Sequence, residues 1–205
     1  MRLGIYGGTF DPVHYGHLLL AEQCREQCAL DEIWFVPARE PPHKQAETIT
    51  PQSARLDMLE FALAGIPEFR ISRIELDREG PGYTVDTLRQ LHEDAPSREL
   101  FLLIGADSLR DFPSWREPQR ILELATVVAV NRGAFAEEEL RRTASALGPG
   151  AADRIQLVEM PGVEISASDI RRRVREGRSI RFLTPRPVVM YIAEHHLYAR
   201  GSETD

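Results

Sequence analysis

The chain's chemistry begins with two histidines three residues apart. They close the run Gly7-Gly8-Thr9-Phe10-Asp11-Pro12-Val13-His14-Tyr15-Gly16-His17. An apolar β-pattern precedes this run and a helical pattern follows it. At a helix start, three-residue spacing puts both imidazoles on one face, within reach of one anion. A glycine pair at the end of a first strand lets a ligand approach the backbone closely. The first amides of the following helix point at the same space, which favours a phosphate. A lone histidine here would read as a cap or core residue; a pair behind Gly-Gly-Thr reads as functional. The run is neither GxGxxG nor GxxxxGK[ST], which disfavours a dinucleotide-dependent oxidoreductase and a P-loop NTPase.

Short β-branched runs alternate with helical patterns along the rest of the chain. Strands are expected at Arg2–Tyr6, Glu32–Pro37, Phe69–Leu76, Leu100–Ile104, Thr126–Val130 and Ile155–Glu159. Helices are expected at Gly16–Cys28, Pro51–Ala64, Thr84–Glu93, Glu117–Leu124, Ala136–Leu147, Ser168–Glu176 and Pro185–His195. This alternation predicts an α/β fold, a Rossmann-like, doubly wound, mostly parallel sheet with helices on both faces. Ligands of such sheets bind at the carboxyl ends of the strands, where the first turn places the two histidines. Residues 1–200 are read as a single domain and 201–205 as a frayed tail.

The 205 residues carry 25 Lys+Arg against 32 Asp+Glu, a formal net charge of −7. That balance argues against broad nucleic-acid binding but allows small anions held by a local cluster. Residues 166–187 form such a cluster, with seven arginines against Asp169 and Glu176. No apolar run is long enough to span a membrane, and the first residues do not form a signal peptide. Cys24 and Cys28 have no metal-ligand or CxxC setting and are read as reduced thiols, so a cytoplasmic location is expected. Lys44 is the only lysine. An arginine-rich coding bias explains the scarcity, and makes the position that kept a compact, flexible cation of interest.

GGTFDPVHYGH resembles the signature of the HxGH nucleotidyltransferases, and within them is most similar to bacterial nicotinate-nucleotide adenylyltransferases. That family transfers the AMP part of ATP to nicotinate mononucleotide, giving deamido-NAD and pyrophosphate in NAD biosynthesis. The resemblance runs nearly the whole chain. Ile165-Ser166-Ala167-Ser168-Asp169-Ile170-Arg171 resembles the family's ISxTxIR segment, with Ser168 in the usual threonine place. Pro41-Pro42-His43-Lys44 resembles its PPHK segment, and Gly82-Tyr83-Thr84 its SYT segment, with Gly82 where serine is common. Gly105-Ala106-Asp107 and Trp115 match its GxD and following tryptophan, while Arg116 stands where tyrosine or histidine is common. The resemblance implies catalytic roles for His14, His17, Lys44 and Arg171. It implies ATP contacts at Gly7, Gly8, Thr9, Phe10, Gly16, Gly105, Asp107, Ser166 and Ser168. Thr84 and Trp115 would hold the nicotinate carboxylate and ring. Arg55 also matches a family position and is read as structural. No protein metal site is expected; Mg²⁺ would arrive with ATP.

The implied partners are ATP and nicotinate mononucleotide, with no nucleic acid or membrane; nothing in the sequence sets an oligomeric state. Nicotinamide mononucleotide or phosphopantetheine remain alternative acceptors, and a non-catalytic nucleotide sensor remains an alternative role.

Overall fold

The computed structural model describes residues 1–39, 49–131 and 137–199, with backbone alone at 106, 107, 131 and 137–141. Six strands form one all-parallel sheet: β1 (Arg2–Gly8), β2 (Glu32–Pro37), β3 (Phe69–Ile71), β4 (Glu99–Gly105), β5 (Ala125–Asn131) and β6 (Ile155–Glu159). Their order is β3-β2-β1-β4-β5-β6. The helices are α1 (Tyr15–Gln27), α2 (Gln52–Leu63), α3 (Thr84–Asp94), α4 (Ala106–Asp111), α5 (Pro118–Leu124), α6 (Glu137–Leu147), α7 (Ala167–Arg175) and α8 (Arg186–Glu194).

Strand side chains alternate between the two faces, and each face has its own core. Tyr6, Ile33, Phe35, Phe101, Leu103, Val128 and Val130 face α1, α2, α7 and α8. Leu3, Ile5, Val36, Leu100, Leu102, Val127 and Ala129 face α3 to α6. Both faces are therefore covered, as an all-parallel sheet requires. Cys24 and Cys28 are buried free thiols, and burial raises both above the usual thiol range.

β3 is shorter than its pattern suggests, ending at Ile71 rather than Leu76. The pairs Phe69/Ile71 and Ile74/Leu76 each have strand spacing, but the chain turns between and after them, with Asp77 N–H bonding the Arg73 carbonyl. α4 and the 3-10 turns at Phe112–Ser114 and Ala151–Arg154 carry too few residues to show a period, and the sequence does not announce them.

The chain winds outward in both directions from the β1/β4 pair, which makes that pair the switch point of the sheet. β1 stays paired with β2 up to Gly8, and β4 with β5 up to Gly105. The β1/β4 ladder itself ends at Ile5 and Leu102. The two strands thus separate over their last three residues, Tyr6–Gly8 and Leu103–Gly105, and open a crevice at the carboxyl edge.

Candidate active site

Gly7 and Gly105 stand at the lips of this crevice. A Cβ built on either would meet no atom of the other described residues within 4 Å. Among the described residues no packing demands glycine at these positions, which leaves room for a ligand to approach the backbone. Gly8 differs: its Cβ would lie 2.9 Å from the Phe10 ring. Phe10 has φ of 50°, a left-handed backbone unusual for a phenylalanine. Burial among Tyr6, Phe35 and His17 holds it there, with ring centroids 5.1–5.5 Å away.

His14 caps α1 and His17 follows as its third residue. Their rings stack at 3.7 Å between centroids and 20° between planes, so the expected pairing is present. The His14 backbone N–H donates to His17 Nδ1 at 3.2 Å. A neutral His17 must then carry its proton on Nε2, as a hydrogen-bond donor. Gly16 is needed by the pair: a Cβ there would lie 3.0 Å from His14 Nδ1 and 3.5 Å from the Ile165 carbonyl oxygen. The second distance also brings the segment leading into α7 against the start of α1.

Ser166 caps α7, its Oγ accepting from Asp169 N–H at 3.2 Å and lying 3.2 Å from Ser168 Oγ. Both serines are exposed. Arg171 turns toward the first loop, its Nη1 donating to the Asp11 carbonyl at 2.8 Å. Arg172 and Arg173 instead hold the Asp169 carboxylate, which their hydrogen bonds keep below the usual carboxylate range. The arginine run therefore divides into one residue bonded to the β1–α1 loop and two engaged with their own helix.

The loop between β1 and α1 is tied down from several directions. Arg55, 1% exposed, donates to the carbonyls of Thr9, Ala38 and Thr50 at 2.8–3.1 Å. Burial lowers its pKa, opposed by the nearby Asp11 carboxylate. The structural reading of Arg55 stands. The Asp11 carboxylate accepts from Thr50 N–H and from Tyr198 Oη. Thr184 Oγ1 donates to the Val13 carbonyl at 2.7 Å, and Tyr15 N–H to the Leu183 carbonyl at 3.0 Å. Sequence reading gave only a helix at Pro185–His195 here, assigned no part to Thr184 or Tyr198, and missed these ties. Only the polar positions of Thr184 and Tyr198 in a largely apolar stretch hinted at them.

A second group of residues gathers where α3 begins. α3 crosses back over the sheet between β3 and β4, so its start lies at the same carboxyl edge as the start of α1. Thr84 is its first residue, while Tyr83 holds the capping position. Trp115 is partly buried and packs edge-on against Phe112 at 5.3 Å. The adjacent Arg116 lays its guanidinium over the Tyr83 ring at 4.5 Å, joining the Thr84 turn to the Trp115 turn. The backbone of Asp107 is the second residue of α4. The Asp107 side chain, Lys44 and residues 201–205 lie outside the described atoms. Among the described residues, no group of three His, Cys, Asp or Glu could hold a metal. No described helix is long and apolar enough to cross a membrane.

Comparison with known proteins bears on what this crevice serves. The cytidylyltransferase-like family model matches residues 5–173. A protein of Thermomicrobium roseum named "probable nicotinate-nucleotide adenylyltransferase" is 51% identical over 96% of this chain and 91% of its own. One of the same name from Geobacillus kaustophilus is 46% identical over 100% of this chain and 89% of its own. The structure of Plasmodium falciparum nicotinic acid mononucleotide adenylyltransferase complexed with NaAD superimposes with a TM-score of 0.79. It covers 96% of this chain and 97% of that one at 21% identity, a likeness of fold. Near-complete coverage at close to half identity or above is decisive: the chain belongs to the nicotinate-nucleotide adenylyltransferase family of cytidylyltransferase-like proteins.

Proposed function

We propose that this protein transfers the adenylyl group of ATP to nicotinate mononucleotide, forming deamido-NAD and pyrophosphate in NAD biosynthesis. The observation that carries this reading is the stacked His14–His17 pair at the start of α1, beside the opening between β1 and β4. The names of the full-length relatives support the choice of acceptor.

In the reaction the 5′-phosphate of the mononucleotide attacks the α-phosphorus of ATP in line. A phosphate monoester is largely dianionic near pH 7, its second pKa being about 6. It needs no general base, so catalysis reduces to positioning and charge stabilisation. His17 Nε2–H donates to the α-phosphate as charge builds there, and His14 backs it through the stack. Gly7, Gly8, Thr9, Phe10 and Gly16 shape the backbone around the nucleotide. The serines and amides at the start of α7 hold the β- and γ-phosphates, and Arg171 offsets charge on the departing pyrophosphate. Lys44 adds a second cation there. Gly105 and Asp107 meet the adenosine half, with the aspartate on ribose hydroxyls. Thr84 at the start of α3 holds the nicotinate carboxylate, and Trp115 stacks on the pyridine ring. Mg²⁺ carried on ATP would supply charge neutralisation at the phosphates, with no protein cage assigned to it.

The test is pyrophosphate release from ATP with nicotinate mononucleotide, nicotinamide mononucleotide or phosphopantetheine offered in turn. Turnover with the first far above the others is expected. ATP binding without turnover on any acceptor would sink the reading.

A further inference from the structure

Glu75 is a buried carboxylate, 9% exposed, in the turn after β3. Its Oε1 accepts from Thr87 Oγ1 at 2.9 Å, and Thr87, 1% exposed, lies in α3 one turn beyond Thr84. Thr87 Oγ1 in turn accepts from Arg78 Nη2 at 3.0 Å. Arg78 Nη1 is buried and makes no hydrogen bond among the described residues, and the Arg78 charge acts on Glu75. Burial raises the Glu75 pKa, with Thr87 and Arg78 opposing the rise.

The other carboxylate oxygen of Glu75 packs against the backbone of Gly82. A Cβ on Gly82 would lie 2.8 Å from Oε2 and 3.3 Å from Cδ. A glutamate tip elsewhere could swing aside, but here Thr87 holds its partner oxygen. Glu75 therefore fills the volume that a side chain at 82 would take. It does so immediately before Tyr83 and Thr84, the residues that open α3.

We infer that Glu75, anchored by Thr87 and charge-balanced by Arg78, is a positioning residue that sets the Gly82–Thr84 turn to receive the acceptor's carboxylate. This rests on the adenylyl-transfer reading and deepens its acceptor side. Arg78 has a clear part: without it, a carboxylate behind the turn would repel the one in front. A negative group can stand there only if it is neutralised locally.

The experiment is steady-state pyrophosphate release by the full chain with both substrates varied, alongside thermal melting. Glu75→Ala should raise KM for nicotinate mononucleotide about tenfold, while KM for ATP and kcat stay within about twofold. Glu75→Gln, which keeps the shape and an oxygen for the Thr87 hydroxyl, should recover most of that loss. Gly82→Ala should also raise the acceptor KM, and by less when Glu75 is alanine, since the clash is gone. A folded Glu75→Ala with unchanged acceptor KM would overturn the inference, as would parallel losses on both substrates. Full additivity of the 75 and 82 changes would also overturn it. If Glu75→Ala does not fold, Gly82→Ala decides alone, and a wild-type acceptor KM counts against the inference. Absence of turnover by the unaltered chain with nicotinate mononucleotide would instead defeat the underlying functional reading.

Discussion

At the proposed phosphate end of the crevice, the loop carrying the histidines is held from far along the chain. Arg171, Thr184 and Tyr198 reach it across 160 to 187 positions. At the proposed acceptor end the contacts are local. Glu75 meets Thr87 across 12 positions, Arg89 meets Glu117 across 28, and Arg116 covers Tyr83 from the surface. The first region is over-determined by contacts from distant parts of the chain, while the second rests on a short-range buried pair and on surface contacts. Groups that must stay aimed at a developing charge gain from the first arrangement. Groups that choose between acceptors can vary in the second without disturbing the sheet.

Substitutions can break this contrast. The largest effect is expected from His17→Ala, a fall in kcat of about 10²–10³-fold with little change in either KM, as for loss of a transition-state donor. Near wild-type kcat would remove His17 from the mechanism. Arg171→Ala should lower kcat by a smaller factor and also lower the melting temperature, because its bond to the Asp11 carbonyl is lost. Lys44→Ala should lower kcat as well, and comparing the two melting curves separates charge from bracing. Trp115→Ala should raise the acceptor KM by about tenfold through lost stacking, leaving KM for ATP in place. An equal change in both would mean the two ends are not separate. Tyr198→Phe removes one partly buried hydrogen bond to Asp11 and should cost about 1 kcal/mol of stability by denaturant titration.

The two C-terminal tyrosines add a pH dependence. Burial, reinforced by Asp11, raises the Tyr198 pKa, and the bond to Asp57 pushes Tyr191 up to about 12. The unfolded chain loses these protons first, near about pH 10. Stability is therefore whole below that pH and falls as pH climbs above it. Thermal melting across pH 9 to about 12 should show the decline, and Tyr198→Phe should flatten it.

The sequence was most legible where physics is local. Alternating apolar runs identified all six strands, and the Gly-Gly-Thr turn with two histidines located the crevice. β3 was overread because Phe69 and Ile71, and then Ile74 and Leu76, each sit two residues apart, while the chain is already turning toward α3 after Ile71. Glu75 went unread because its partner Thr87 lies on a different element, and a lone glutamate in a charged stretch normally points at water. Arg171 could be told from Arg172 and Arg173 by its motif, but that Asp169 engages the other two needed coordinates. Asp11 was read as part of a motif rather than as the acceptor for Thr50 and Tyr198, since separations of that size leave no periodic trace.

The ties from Thr184 and Tyr198 also impose an order on biosynthesis. All six strands of the described sheet have been synthesised by Glu159, so a nascent chain can assemble its sheet while residues 160–198 are still being made. The histidine-bearing loop gains its final anchors only when that closing segment leaves the ribosome. A ribosome stalled just past β6 would display a sheet-forming polypeptide whose first loop still lacks its ties to Thr184 and Tyr198.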